Sequence, residues 1–210
     1  LQDMALAATS ALGYIGEAVV NQVDRPRFGN EIFGTFGRDF RTKDGRHVMI
    51  CIFSDRHVDA LANAGGFAEA FKRIEASKGV DLKTDAGRWT ARAELCAVIE
   101  PWVAAQTADE VGAALRKAGA LWAPYKTFRE LAADPGLVLD NPMFTVLDQP
   151  GVGRYPVAAT PFQFSAFERE TPRVAPALGQ HTDEILSGIL GLSDREIGKL
   201  HDDKVVGGPR

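Results

Sequence analysis

The sequence predicts a soluble α+β fold, and three observations predict it. Two runs of strand-forming residues flank an Asp44-Gly45 turn, several segments repeat apolar residues at helical spacing, and a long proline-rich stretch precedes the last helices. The 210 residues carry 24 Lys and Arg against 28 Asp and Glu, with 45% hydrophobic and 25% charged residues. That balance excludes a disordered, fibrous or disulfide-stapled chain. The length admits one large domain or two small ones. The formal net charge of −4 argues against general nucleic-acid binding. A few local Arg and Lys would still suffice for a small polyanionic ligand.

Leu1, Met4, Ala5, Ala8, Leu12, Ile15 and Val19 keep helical spacing, which predicts one helix over the first 20 residues. It starts without a capping residue, as expected of a piece of a longer chain, whereas VVGGPR trails off as a natural C-terminus does. A polar linker with Pro26 and Gly29 follows. The Asp44-Gly45 turn then predicts a hairpin, whose second arm, His47 to Phe53, is apolar enough for a buried strand. Residues 55–76 read as helical, broken at Gly65-Gly66, with Leu61, Ala64, Phe67, Phe71 and Ile74 on one side. From Trp89 to Ala105 the expected helix face is Ala93, Cys96, Ile99 and Val103.

Thr107 and Glu110 form a capping box, each satisfying a backbone donor at the start of a helix that ends near Gly119. A short strand is expected over Ala120–Pro124, and a helix over Thr127–Ala133, closed by Asp134-Pro135. Residues 134–176 hold seven of the eleven prolines, so extended chain is expected, with strands at Phe144–Leu147 and Tyr155–Ala159. Phe162, Phe164 and Phe167 are expected to be aromatic anchors. Two short helices close the chain, one capped by Thr182 and one by a second capping box, Ser193 with Glu196.

No constellation in the sequence announces catalysis. The phosphate-loop pattern GxxxxGK is absent, and Gly29, Gly34 and Gly37 lack dinucleotide-binding spacing. Gly34, Phe36 and Gly37 are the candidate substrate-binding residues. Glycines interleaved with aromatics suit a loop that closes over a flat or thioester group. They equally suit a hairpin approach that needs positive φ. Arg25, Arg27, Arg38, Arg41, Lys43 and Arg46 concentrate positive charge around this segment, as a solvated face or a phosphate contact. Asp55, His57 and Asp59 would share a face on a strand, but a helix starting there splits them, and no metal site is expected. His47 and Cys51 share a strand face roughly 13 Å apart, too far for a nucleophile–base hydrogen bond. His181, beside Asp183 and Glu184 at a helix start, reads as structural, with ligand contact left open. Cys51 and Cys96 sit in apolar contexts as reduced thiols, and no run approaches the roughly 20 apolar residues of a membrane span. No basic stretch followed by an apolar core opens the chain. The expected location is cytoplasmic.

Four segments carry a resemblance. PALGQHTDEILSGILGLSDREIGKLHDDKVV resembles the C-terminus of the class III CoA-transferases, also called the carnitine dehydratase and bile-acid-inducible protein F (CaiB/BaiF) family. AGALWAPYKTFRELAADPGL, PFQFSAFERETPRVAP and GNEIFGTFGRDFRTKDGRHVMICIF are similar to further segments of that family, with Trp122 and Ala123 near its usual Pro-Cys. The resemblance runs from Leu1 to Val206 and covers only the C-terminal half of full members.

It implies three parts. Residues 1–29 correspond to the terminal helix of a large Rossmann-like domain and a linker. Residues 30–149 correspond to the small α+β domain, and 150–210 to the extended return segment and C-terminal helices. Such enzymes move CoA between carboxylic acids: an aspartate attacks the acyl-CoA thioester, and an anhydride and an enzyme thioester follow. That aspartate lies upstream of Leu1, so the resemblance assigns no catalytic residue to this chain and predicts it inactive alone. It implies acyl-CoA and a carboxylic acid as substrates of the full enzyme, no cofactor bound by this chain itself, and a homo-oligomer or a complementing large domain as partner. It assigns Gly34 to Gly37 to a loop closing over the acyl group, without the consecutive glycines of formyl-CoA transferase. The stretch RPRFGNEIFGTFGRDFRTKDG leans towards intramolecular CoA transfer of the 2-methylfumaryl-CoA isomerase type. An α-methylacyl-CoA racemase portion and a non-catalytic partner subunit are the alternatives.

Overall fold

The Asp44-Gly45 turn forms where the sequence places it. Strands β1 (Phe36–Arg41) and β2 (His47–Ile52) pair antiparallel around it, with Phe36 opposite Ile52 and Arg41 opposite His47. The computed structural model describes residues 1–209. The third strand, β3 (Leu121–Pro124), pairs antiparallel with β2, which makes β2 the middle strand of a three-stranded sheet. Apolar sequence led to the expectation of a strand buried all round. Instead β2 alternates: Val48, Ile50 and Ile52 are fully buried, while His47, Met49 and Cys51 are half-buried on the other face.

The chain packs as two compact units that divide after Tyr125. In the first, the expected N-terminal helix is two, α1 (Gln2–Ala11) and α2 (Tyr14–Asn21), separated where Gly13 takes a φ of 83°. Neither buries a residue. Helices α3 (Asp55–Gly65) and α4 (Ala68–Lys78) meet at the predicted glycine break. Helices α5 (Asp85–Thr90) and α6 (Arg92–Ala104) share the stretch read as one, and α7 (Ala108–Ala118) opens on the Thr107–Glu110 capping box.

The core lies between one sheet face and these helices. The sequence-based face of α6 needs correction: Ala93 is exposed, and the buried row is Ala91, Leu95, Ile99 and Val103, each at 0%. The row follows an unbroken i, i+4 ridge, which spacing by three from Cys96 concealed. Trp122 packs where Gly112 of α7 leaves room, since a Cβ there would lie 2.3 Å from its ring.

The second unit starts at Lys126. Helix α8 (Phe128–Ala132) carries a capping box of its own, Thr127 with Glu130, and a π turn over Pro135–Leu139 follows. Strands β4 (Phe144–Gln149) and β5 (Gly153–Ala158) form a separate hairpin, an edge position that tolerates Pro156. Helices α9 (Thr182–Gly188) and α10 (Asp194–Asp202) close the chain, the second on the expected Ser193–Glu196 box. The N-cap of α9 is His181, not Thr182, because Thr182 is already inside the first turn. Among the described residues, Val138 and Ile197 are the buried apolar side chains of this unit. Phe162, Phe164 and Phe167 are exposed, with Phe164 stacked on Phe167 at 4.5 Å. Among the described residues, no helix is long and apolar enough to cross a membrane.

Candidate functional site

The glycine-rich segment leads from the linker into β1. Gly29 and Gly34 adopt φ of 64° and 85°, and a Cβ at either would meet open space. The three residues read from sequence as substrate-binding are not placed alike. Gly34 is open. Phe36, 1% exposed, turns its ring into the core, because it is the first core-facing residue of β1. Gly37 lies under Ile32, whose Cδ1 would sit 2.4 Å from a Cβ there. The Ile32 amide donates to the Gly37 carbonyl at 2.9 Å, folding the segment back over the strand start.

Aromatic rings hold this segment from the side. Phe28 and Phe33 meet Trp89 of α5 with centroids 5.0 and 5.1 Å away, both edge-on, and lie 5.5 Å from each other. The Arg25 guanidinium stands 3.8 Å from the Phe33 ring centre and Arg92 4.0 Å from that of Trp89. Arg25 also pairs with Glu17, and Arg92 with Glu31 at 3.3 Å. The basic concentration seen in the sequence is thus partly spent within the fold. Arg38 lies beside the Cys96 thiol; burial nevertheless pushes that thiol up, against the pull of the guanidinium.

Beside Trp89, Arg88 is 2% exposed. Its Nε donates to Thr35 Oγ1 at 3.1 Å, its Nη1 to the Leu82 carbonyl at 2.9 Å, and its Nη2 pairs with Asp85. Thr35 in turn donates to the Ile52 carbonyl at 3.0 Å. Adjacent residues of α5 therefore fix the segment and the strand it enters. Sequence reasoning singled out neither, because both partnerships join positions more than fifty residues apart.

The half-buried sheet face carries a polar chain. His47 Nδ1 lies 2.8 Å from Asp39 Oδ2, Asn30 donates to the other Asp39 oxygen at 3.1 Å, and Tyr125 stacks on the His47 ring. Burial disfavours an ionised Asp39, but the hydrogen bonds from His47 and Asn30 outweigh it and hold the carboxyl below its ordinary range. A depressed folded pKa stabilises above the unfolded value of about 3.9 and ceases to do so as pH falls through the folded one. Asp39→Asn is expected to cost about 1 kcal/mol at pH 7, with the difference from the parent vanishing near pH 2. Urea unfolding at the two pH values measures this.

The other candidates separate. Asp55, His57 and Asp59 all fall in α3, and His57 Nδ1 accepts from the Phe53 amide at 3.3 Å. Among the described residues, no three His, Cys, Asp or Glu converge as metal ligands. Cys51 is free and half-buried, and burial pushes its thiol up. His181 pairs with Glu184 at 3.1 Å, and His201 with Asp183 at 2.7 Å, which joins α9 to α10.

Comparison with known proteins decides the family. CoA-transferase family III matches residues 2–182. The chain belongs to that family. It is 44% identical over its whole length to 2-methylfumaryl-CoA isomerase of Chloroflexus aurantiacus, of which it spans 51%. It is 33% identical over 130 residues to formyl-CoA:oxalate CoA-transferase of Rhodopseudomonas palustris, spanning 30% of that protein. The chain thus spans about half or less of the curated relatives it matches. Its fold resembles the crystal structure of Rv3272 from M. tuberculosis, with a TM-score of 0.53 over 85% of this chain and 52% of that one, at 18% identity. The mixed α/β architecture and the CoA-transferase family III membership expected from the sequence both stand.

Proposed function

We propose that residues 1–210 supply the covering domain and the return segment of a cytoplasmic class III CoA-transferase that moves CoA between carboxylic acids. The thioester-attacking aspartate belongs, in this reading, to polypeptide outside these residues. The observation that carries it is the 44% identity to 2-methylfumaryl-CoA isomerase along the entire chain. It favours a small branched acyl group whose own second carboxylate receives the CoA. The aspartate carboxylate attacks the thioester carbonyl and releases the CoA thiolate, leaving a mixed anhydride. The thiolate attacks the aspartyl carbonyl of that anhydride, which frees the acyl carboxylate and leaves an aspartyl thioester. The second carboxylate then attacks the aspartyl thioester, and the expelled thiolate takes the acyl group from the new anhydride.

This chain contributes by excluding water, since the anhydride is readily hydrolysed. The segment from Phe28 to Gly34 provides that cover. Gly34 lets backbone approach the acyl group, while Phe36 and Gly37 brace it from behind. The exposed Phe162, Phe164, Phe167, Leu178 and Ile189 of the return segment support a role in gripping a large domain, its own or a partner's. The experiment is reconstitution. The purified chain is expected to transfer no CoA from 2-methylfumaryl-CoA, and addition of the complementary large-domain polypeptide is expected to restore isomerisation. Turnover by the chain alone, or none in the mixture, overturns the proposal.

A further inference from the structure

We infer that Trp89 is a positioning residue, which clamps the segment Phe28–Gly34 in one place against the junction of α5 and α6. The inference rests on the proposed covering role of that segment and adds the side chain that governs it. Phe28 and Phe33 bracket the segment, and a single indole takes both rings edge-on at 5.0 and 5.1 Å. The stack continues outward on both sides. Arg92 covers Trp89 at 4.0 Å and donates to the Trp89 carbonyl at 2.8 Å, and Arg25 covers Phe33 at 3.8 Å. Each cation has its own carboxylate, Glu31 for Arg92 and Glu17 for Arg25.

The backbone leaves the clamp much to do. Gly29 and Gly34 both take left-handed φ, and no atom approaches where their Cβ would be. Both ends of the segment can therefore pivot. Three other contacts hold it: the Ile32 amide on the Gly37 carbonyl, Asn30 on Asp39, and Glu31 on Arg92. None of them touches the Phe33 ring, which is 46% exposed and keeps its place through Trp89, Phe28 and Arg25.

Hydrogen exchange of the Glu31 and Ile32 amides reads the clamp, because the first is bonded within the segment to the Phe28 carbonyl and the second ties the segment to the Gly37 carbonyl of β1. In Trp89→Leu their exchange is expected to rise about tenfold while the Val48, Ile50 and Ile52 amides keep their protection. Trp89→Phe, which retains a ring, is expected to recover most of the protection. Phe33→Ala, at an exposed position, should loosen the same two amides and serves if Trp89→Leu does not fold. Unchanged exchange at Glu31 and Ile32 in a folded Trp89→Leu, or in Phe33→Ala, overturns the clamp. The covering role is read separately, as the ratio of acyl-CoA hydrolysis to CoA transfer in the reconstituted enzyme. A raised ratio in Trp89→Leu, reversed in Trp89→Phe, supports both proposals. Loosened amides with an unchanged ratio uphold the clamp and remove the covering role.

Discussion

Replacing Arg88 with leucine is expected to lower stability by about 3 kcal/mol and the melting temperature by about 10 °C. Leucine fills much of the volume, so packing loss is the smaller part. The larger part is the polar groups left behind. The Leu82 carbonyl loses its 2.9 Å partner, and Thr35 loses the donor that fixes its hydroxyl towards Ile52. Asp85 adds little, because its side chain is 67% exposed and water replaces the guanidinium. Thermal and urea unfolding followed by circular dichroism measure the change. A loss below about 1 kcal/mol would mean that the guanidinium's desolvation cancels its three bonds.

Gly87→Ala, next to it, is expected to destabilise by about 2–3 kcal/mol. At an ordinary helical glycine the same change stabilises, by roughly 0.5–1 kcal/mol. Here the new Cβ would lie 2.0 Å from the Asp81 carbonyl oxygen. That oxygen cannot swing aside, because it accepts from both the amide and the hydroxyl of Thr84. Thr84 is also the N-cap of α5 and accepts from the Gly87 amide at 3.0 Å. Making room for one methyl group thus opens the turn that starts the helix. The sign of the change in melting temperature decides the point: a rise would show that the turn yields without cost.

Features set by neighbours in sequence were legible. Asp44-Gly45 closes a hairpin through local hydrogen bonds, and Thr107–Glu110 and Ser193–Glu196 cap helices within one turn. The family was legible for a different reason, since strings such as LGQHTDEIL are long enough to be specific. What depends on distant partners was not. Phe36 opens the hairpin's first arm among glycines and reads as a substrate-binding ring; strand pairing opposite Ile52 directs it into the core instead. Leu95 joined the core in place of Ala93 because α6 meets the sheet along a ridge that only packing selects. Trp89 carries no local mark at all; its importance appears when Phe28 and Phe33 arrive from sixty residues away.

The second unit has a thermodynamic consequence. A chain portion with Val138 and Ile197 as its buried apolar side chains dehydrates little hydrocarbon as it orders. It therefore contributes little heat capacity to unfolding, and its own ordering has little enthalpy with which to resist warming. The calorimetric peak of the free chain is expected to come from the portion before Lys126, with the remainder contributing only a shallow, broad transition.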